Sequence, residues 1–448
     1  MNPWLGMLVV MAALSSAFLA LRLLEKHASP HPEVLRKLMH VLMGLVTATF
    51  PWLFNESWPV LLLAGGSVAV LILVRSGVSV AGSVKGVLHG VERTSWGELL
   101  FPLSVAAVFL LADGEPLLYS VPILILALAD AVAALIGVYY GQIQFTTLEG
   151  SKSIEGSFAF FIVTFLCVHI AVLLFTDAGR IESLLIGLLM GIVVMMFEAV
   201  AWRGLDNLFI PVASFALLKS YLKLDAGALS VSLMVIVLLG VFLLMWRRRS
   251  TLDDSALIGA GLVAYGSWAI GDLYWLLVPV SVFVIATWLV LREVEAGQRQ
   301  IHTVYALLGI TGPGLFWLTL SRNVESVDLF FAYVLAFAAH LTMLGVSRAH
   351  SGLARLPISR IVPAVMQGFV VLLLPFSLMW GIDLRLGVIA TFGVLALLLA
   401  ALAFLKLQPA LDNCPGTPER WTRQALIAGG LSVMGWISLG VIDMDGVQ

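Results

Sequence analysis

The stretch Val121-Pro-Ile-Leu-Ile-Leu-Ala-Leu-Ala-Asp130-Ala-Val-Ala-Ala-Leu-Ile-Gly137 decides the class of fold. It is apolar on every face, so neither a half-buried strand nor an amphipathic surface helix accounts for it. A run of this kind crosses a bilayer, and a single carboxylate inside it is a functional candidate because charge at membrane depth is costly. The rest of the chain repeats the pattern. Of 448 residues, 60% are hydrophobic and 12% are charged, and the mean hydropathy is +1.03. A water-soluble enzyme could not hide that much apolar surface, and a disordered chain would be polar. The fold class is therefore an all-α, polytopic integral membrane protein. A span ruler of roughly 20 residues gives about sixteen full or half-membrane helices. They start near Trp4, Leu38, Trp58, Leu99, Leu118, Ser157, Ser183, Leu208, Ala228, Ser255, Leu273, Thr303, Val327, Arg360, Leu386 and Gln424, the one at Leu208 interrupted by Pro211. No small-residue cleavage site follows the first, so it reads as a retained helix.

Charge orients the stack. With the N-terminus outside, 20 of the 25 Lys and Arg residues fall on one side, Lys85, Arg93, Arg299 and Arg355 among them, and the positive-inside rule makes that side cytoplasmic. The other side carries Glu56, Asp113 and Glu115, and then Asp443 and Asp445. The net charge of −2 leaves no basic excess for a nucleic-acid partner. Cys167 and Cys414 are too few for a disulfide framework or a cysteine zinc site. The charge run from Trp246 to Asp254 divides the chain into 1–245, which holds everything that looks chemical, and 250–448.

Asp130 lies toward the cytoplasmic half of its helix, among Ala127, Ala129, Ala131, Ala133, Ala134, Gly137 and Gly141. These small residues suit close approach by a ligand, or by another helix that bonds the acid. The next loop, Gly141 to Ser157, includes Gly150-Ser151-Lys152-Ser153-Ile154-Glu155-Gly156 just before a helix. Such a segment suits an anion at a helix N-terminus, with Lys152 as a mobile cation, and equally an ordinary capped helix entrance. Glu198 closes another helix, followed by Arg203-Gly204-Leu205-Asp206-Asn207 and Pro211. These acids suit a hydrated magnesium ion or an Asx-turn. Arg36-Lys37-Leu-Met-His40 opens the second helix, where a basic pair is also a common interface anchor. The charge-derived topology gathers all of these residues at one membrane face, and acids with Lys and Arg at one surface are the inventory of metal-assisted phosphoryl transfer.

From Asp130 through Gly141 and Gly150 through Ser157, the chain resembles the nucleotide-binding region of the polyprenol kinase family, which contains dolichol and phytol kinases. Arg36-Lys37 with His40 and Gly44, Gly97-Glu98-Leu-Leu-Phe-Pro102, Glu198, and Leu205-Asp206-Asn207 with Pro211 resemble its other landmarks, in order, over residues 30–225. The resemblance implies a membrane lipid kinase that moves the γ-phosphoryl group of a nucleotide, typically CTP, to an isoprenoid alcohol, with Mg2+. It implies catalytic roles for Asp130, Lys152, Glu155, Glu198, Asp206 and His40, with Glu155 orienting Lys152 or a metal. Arg36, Lys37, Gly137, Gly141, Ser151, Lys152, Ser153, Gly156 and Asn207 would contact the nucleotide. Asp130, Glu198 and Asp206 would hold the metal. The acceptor would be phytol, geranylgeraniol or a dolichol-type polyprenol within the bilayer lipid. Nothing in the sequence fixes an oligomeric state.

The second half echoes the first faintly. Arg299-Gln-Ile-His302, Gly345, Gln367-Gly368 and Leu411-Asp412-Asn413 stand where Arg36 to His40, Gly137, Glu155-Gly156 and Leu205-Asp206-Asn207 do. Ala339 or His340 falls near the Asp130 position, which suggests a degenerate, non-catalytic duplicate. Two rival functions use similar parts. A membrane cytidylyltransferase would share nucleotide, metal and lipid. A transporter would show broken helices and repeats, but with charges from both halves at the midplane.

Overall fold

The computed structural model describes residues 2–76, 96–293, 301–322, 324, 326–350, 358–408 and 416–440. Lys85, Arg93, Arg299, Arg355, Leu411, Asp412, Asn413, Cys414, Asp443 and Asp445 lie outside the described residues. Among the described residues the regular elements are helices apart from one short hairpin, and each of the sixteen expected starts falls on a helix or its cap. Among the described residues, eleven helices are long and apolar enough to cross a membrane. The chain is an integral membrane protein. It forms two compact units, Met1–Met234 and Val235–Gln448, so the packing changes within the helix Ala226–Trp246, ahead of the charge run at Trp246.

The first unit begins with α1 (Pro3–Ala28), α2 (Pro32–Ala48), a single turn α3 (Phe50–Leu53) and α4 (Trp58–Arg75). Next come α5 (Gly97–Ala112) and α6 (Pro116–Tyr140). Strands β1 (Gln144–Thr147) and β2 (Gly150–Ser153) come after these, then α7 (Ile154–Phe175), α8 (Arg180–Val200) and α9 (Asp206–Tyr221). Starts are chemically marked. Pro32 stands at the first turn of α2, and the His31 side chain accepts from the Glu33 N–H. Ser153 Oγ caps α7 by accepting from the Gly156 N–H at 3.0 Å. Two expectations change. The segment after Gly141 is an antiparallel hairpin rather than a loop, with Phe145 opposite Lys152. Its Phe-Thr-Thr run favours a strand, and Gly150 supplies the positive φ of 128° that the turn requires. The helix at Asp206 continues through Pro211 without interruption. Proline removes a single helical hydrogen bond, and buried packing against neighbouring helices tolerates it.

The second unit comprises α11 (Asp254–Ile270), α12 (Leu273–Glu293), α13 (Val304–Ser321), α14 (Val327–His350), α15 (Ile358–Trp380), α16 (Leu384–Leu407) and α17 (Pro418–Gly440), where α10 is the helix Ala226–Trp246. Helix α14 is its axis: 94% of the apolar window is buried inside the protein. Phe331, Tyr333 and Phe337 fill the core around it. Apolar side chains such as Trp4, Leu8, Met245 and Leu426 point outward. That inversion suits a bilayer, whose hydrocarbon solvates them.

Candidate active site

Asp130 comes directly after an irregular piece of backbone. Residues Ile125–Ala129 form a π-helical turn within α6, three residues beyond Pro122. Such turns insert a residue into the helix, re-aim the side chains beyond it, and recur at functional sites. Asp130 sits ten residues before the end of α6, roughly 15 Å along the axis at 1.5 Å per residue. Helix α2 reaches it by close backbone approach. A Cβ on Gly44 would fall 2.2 Å from Ala127 Cβ, so only glycine admits this crossing. The crossing sets Lys37 Nζ 2.6 Å from Asp130 Oδ2. Lys37 is 5% exposed, so the pair is shielded from water. One turn further, His40 Nε2 lies 3.9 Å from the same oxygen, without a hydrogen-bond partner. The imidazole packs edge-on against Phe101 with centroids 5.3 Å apart.

A second ion pair lies alongside. Lys152, on β2, places Nζ 2.7 Å from Glu198 Oε1 and also donates to the Glu198 backbone carbonyl at the end of α8. The other carboxylate oxygen, Glu198 Oε2, is buried and accepts nothing. Burial alone would lower the Lys152 pKa, but the Glu198 charge and hydrogen bond, with Asp206 and Asp130 behind them, hold it above the ordinary lysine value. Asp206, the first residue of α9, acts electrostatically on Arg36, His40 and Lys152. Two lysine–carboxylate pairs, a histidine and Asp206 thus form one electrostatic cluster. It is built where α2, α7 and α9 begin and α8 ends.

The remaining expected residues hold this cluster or stand beside it. Glu155 does not orient Lys152: its carboxylate accepts from the Ile143 N–H at 3.2 Å and pins the base of the hairpin. Helix geometry explains this, since the side chain of the second residue in α7 faces the incoming chain. Arg36 pairs with Glu33 at 2.6 Å, with its side chain 54% exposed. Ser151 bonds Gln144 across the hairpin at 2.7 Å, and Ser153 serves as the cap of α7. Gly137, Gly141 and Gly156 make the α6–α7 contact. A Cβ on Gly156 would meet the Ala133 carbonyl at 2.9 Å, and one on Gly141 would meet Ser153 Cβ at 2.7 Å. Asn207 donates to the Gly97 carbonyl at 2.9 Å, tying α9 to α5.

Glu149 and Trp96 were not anticipated. The turn between α8 and α9 carries Arg203 at φ 52°, in the left-handed region, followed by Gly204 at 79°. The Arg203 N–H donates to Glu149 Oε1 at 2.8 Å, and its carbonyl accepts from the Trp96 N–H at 2.9 Å. The hairpin tip thereby clamps the turn that delivers Asp206. The lone Glu in Thr147-Leu148-Glu149-Gly150 carries no sequence signal for this role. Among the described residues, no group of three or more His, Cys, Asp and Glu side chains is close enough to hold a metal by itself. Asp130 Oδ2 is engaged by Lys37 and Glu198 Oε1 by Lys152, so the acid donors offered are the unpartnered Glu198 Oε2 and Asp206. Magnesium is ordinarily held by one or two carboxylates plus substrate phosphates, so that donor set and the unpartnered Glu198 Oε2 fit it.

No family model matches the chain, and no solved structure matches it. A curated protein does. Over 213 residues, covering 47% of this chain and 89% of the relative, it is 28% identical to the phytol kinase of Synechocystis sp. (strain ATCC 27184 / PCC 6803 / Kazusa). In sequence, this chain is similar to a polyprenol- or phytol-kinase-like protein.

Proposed function

We propose that the first unit is a membrane lipid kinase that transfers the γ-phosphoryl group of a nucleoside triphosphate, CTP by preference, to the hydroxyl of an isoprenoid alcohol such as phytol. The observation that carries this reading is the paired arrangement Lys37–Asp130 and Lys152–Glu198 with Asp206 in electrostatic range. The similarity to a phytol kinase supports it. The reaction needs cations for a polyphosphate, acids for a metal and a proton acceptor, and these residues are of the right types. Lys37 and Lys152 bind the phosphates. Glu198 and Asp206 would hold magnesium, which would supply neutralisation of the charge on the transferring group. The alcohol oxygen bonds to the γ-phosphorus as the bond to the β–γ bridging oxygen breaks. The nucleoside diphosphate leaves with that electron pair, and Asp130, with His40 beside it, takes the hydroxyl proton.

The same reading places the cluster at the cytoplasmic face and the N-terminus outside, because 20 of 25 basic residues then fall inside. A water-borne nucleotide and a bilayer-borne alcohol meet there. The second unit is proposed as a non-catalytic partner domain.

The test is transfer of label. Purified protein in detergent receives γ-labelled CTP or ATP, magnesium, and phytol, geranylgeraniol, farnesol or dolichol in turn. Label extracted into the organic phase as a lipid monophosphate is the expected result. Label found in lipid only when phosphatidate and α-labelled CTP are supplied would show a cytidylyltransferase instead.

A further inference from the structure

Helix α10 ends at Trp246, and Arg247, Arg248 and Arg249 follow it as a turn. The turn is held on both sides. The Trp246 carbonyl accepts from the Arg249 and Ser250 N–H groups, each at 2.9 Å. The Trp246 indole packs on Phe242 of its own helix and on Phe283 of α12, with centroids 5.8 and 6.1 Å away. Downstream, the His302 backbone donates to the Thr251 carbonyl and accepts from the Asp253 N–H. The acids nearby in sequence are committed: Asp254 Oδ1 accepts from Arg247 Nε at 2.8 Å, and Asp253 caps α11 by accepting from the Ala256 N–H at 2.7 Å. Arg248 and Arg249 are exposed, and among the described residues neither has a hydrogen-bond, ion-pair or ring partner.

An apolar strip leads up to these arginines. Val237, Val241 and Leu244 are 50%, 50% and 71% exposed, so no protein covers them. They precede Arg248 by eleven, seven and four residues, which puts all four on one helix face. From Val237 to Arg248 is about 16 Å at 1.5 Å per residue, close to one leaflet of a hydrocarbon core about 30 Å thick. A run of arginines by itself would only orient the helix. Here two uncommitted guanidinium groups stand at headgroup depth above a strip as long as an acyl chain. The guanidinium fork matches phosphate oxygens, and basic clusters next to a spanning helix attract anionic lipid. We propose that Arg248 and Arg249 bind the headgroup of an anionic phospholipid whose tail lies along Val237, Val241 and Leu244. The site does not depend on the reaction assigned to the first unit.

The experiment is thermal unfolding of the full-length protein in detergent. The protein is titrated with dioleoyl phosphatidylglycerol, with dioleoyl phosphatidylcholine, which has the same tails, or with inorganic phosphate. Phosphatidylglycerol is expected to raise the midpoint at concentrations where the other two do not. Arg248→Gln combined with Arg249→Gln should raise the concentration needed by about tenfold or more, the scale of a lost hydrogen bond to a charged group. Neither arginine has a partner in the fold, so the double variant tests binding without a folding defect. Leu244→Gln keeps both charges, interrupts the strip and should weaken the response as well. Lys219→Gln combined with Lys223→Gln removes two exposed charges from the first unit and should leave the response unchanged. The proposal is overturned if phosphatidylglycerol has no effect, or if phosphatidylcholine or inorganic phosphate raises the midpoint equally. It is also overturned if the arginine double variant or Leu244→Gln responds as wild type does, or if the lysine double variant loses the response.

Discussion

Lys37 Nζ and Asp130 Oδ2 meet at 2.6 Å across 93 residues of sequence, joining the start of α2 to the middle of α6. Both side chains are shielded, at 6% and 13% exposure. Removing one partner strands a charge in a poorly hydrated place, which costs about 3–5 kcal/mol, whereas replacing both by apolar groups is often neutral. Lys37→Met and Asp130→Leu should each destabilise the protein, and the double variant should recover most of the loss. None of the three should transfer phosphate. Unfolding midpoints combined with the label-transfer assay check this. A double variant as unstable as the singles would show that the residues act on stability independently.

Lys152 titrates above the usual lysine range because the nearby acids outweigh its burial. With the folded pKa raised, the stabilisation from the Lys152–Glu198 pair is fully present below the unfolded value of about 10.4 and is lost as pH rises through the folded pKa. The stability difference between wild type and Lys152→Gln should therefore stay constant from pH 7 to about pH 10 and shrink above it. Unfolding midpoints across that range test the sign. A difference that shrinks below pH 9 would mean that the lysine is depressed instead.

Glu155 and Glu149 exchange importance relative to the sequence reading. Glu155 bonds a backbone N–H at the hairpin base, while Glu149 holds the left-handed Arg203 turn ahead of Asp206. Glu155→Gln should lower turnover less than tenfold, the loss of one hydrogen bond of about 1 kcal/mol. Glu149→Ala should cost more, because Asp206 loses its anchor. Arg203→Gly, which relieves strain of about 1–3 kcal/mol at that φ, should restore part of the Glu149→Ala loss. Turnover of the single and double variants decides the matter. No restoration by glycine would show that Glu149 acts other than through the turn.

The fold was legible because bilayer physics is strict: apolar runs near 20 residues have few alternatives to a spanning helix, and each expected start falls on one. The cluster was legible in part. Lys37, Lys152, Glu198 and Asp206 stood out as charges at the ends of apolar runs and Asp130 as a charge inside one, and charge parity assigned them to one face. Sequence could not convey which charge meets which. The Lys152–Glu198 pair depends on a hairpin register, Phe145 opposite Lys152, that puts the lysine on the side of α8. Gly137, Gly141 and Gly156 looked like a phosphate turn, because glycines that admit a ligand and glycines that admit a helix have the same spacing. The π-turn before Asp130 has no sequence signature apart from Pro122.

The Gly44–Ala127 crossing offers a test of geometry separate from charge. A methyl group at Gly44 would sit 2.2 Å from Ala127 Cβ, so Gly44→Ala must push α2 away from α6. Overpacking of this kind costs about 1–3 kcal/mol. A shift of 1 Å is also enough to lose about a hundredfold in rate, because Lys37 and His40 ride on the same helix. Moving the methyl rather than adding one should undo both effects: Ala127→Gly in the Gly44→Ala background exchanges the two residues across the contact. The double variant should regain turnover and stability together. Recovery of stability without turnover would show that the α2–α6 contact holds the fold without aligning Lys37 on Asp130, and that α2 contributes to the site by another route.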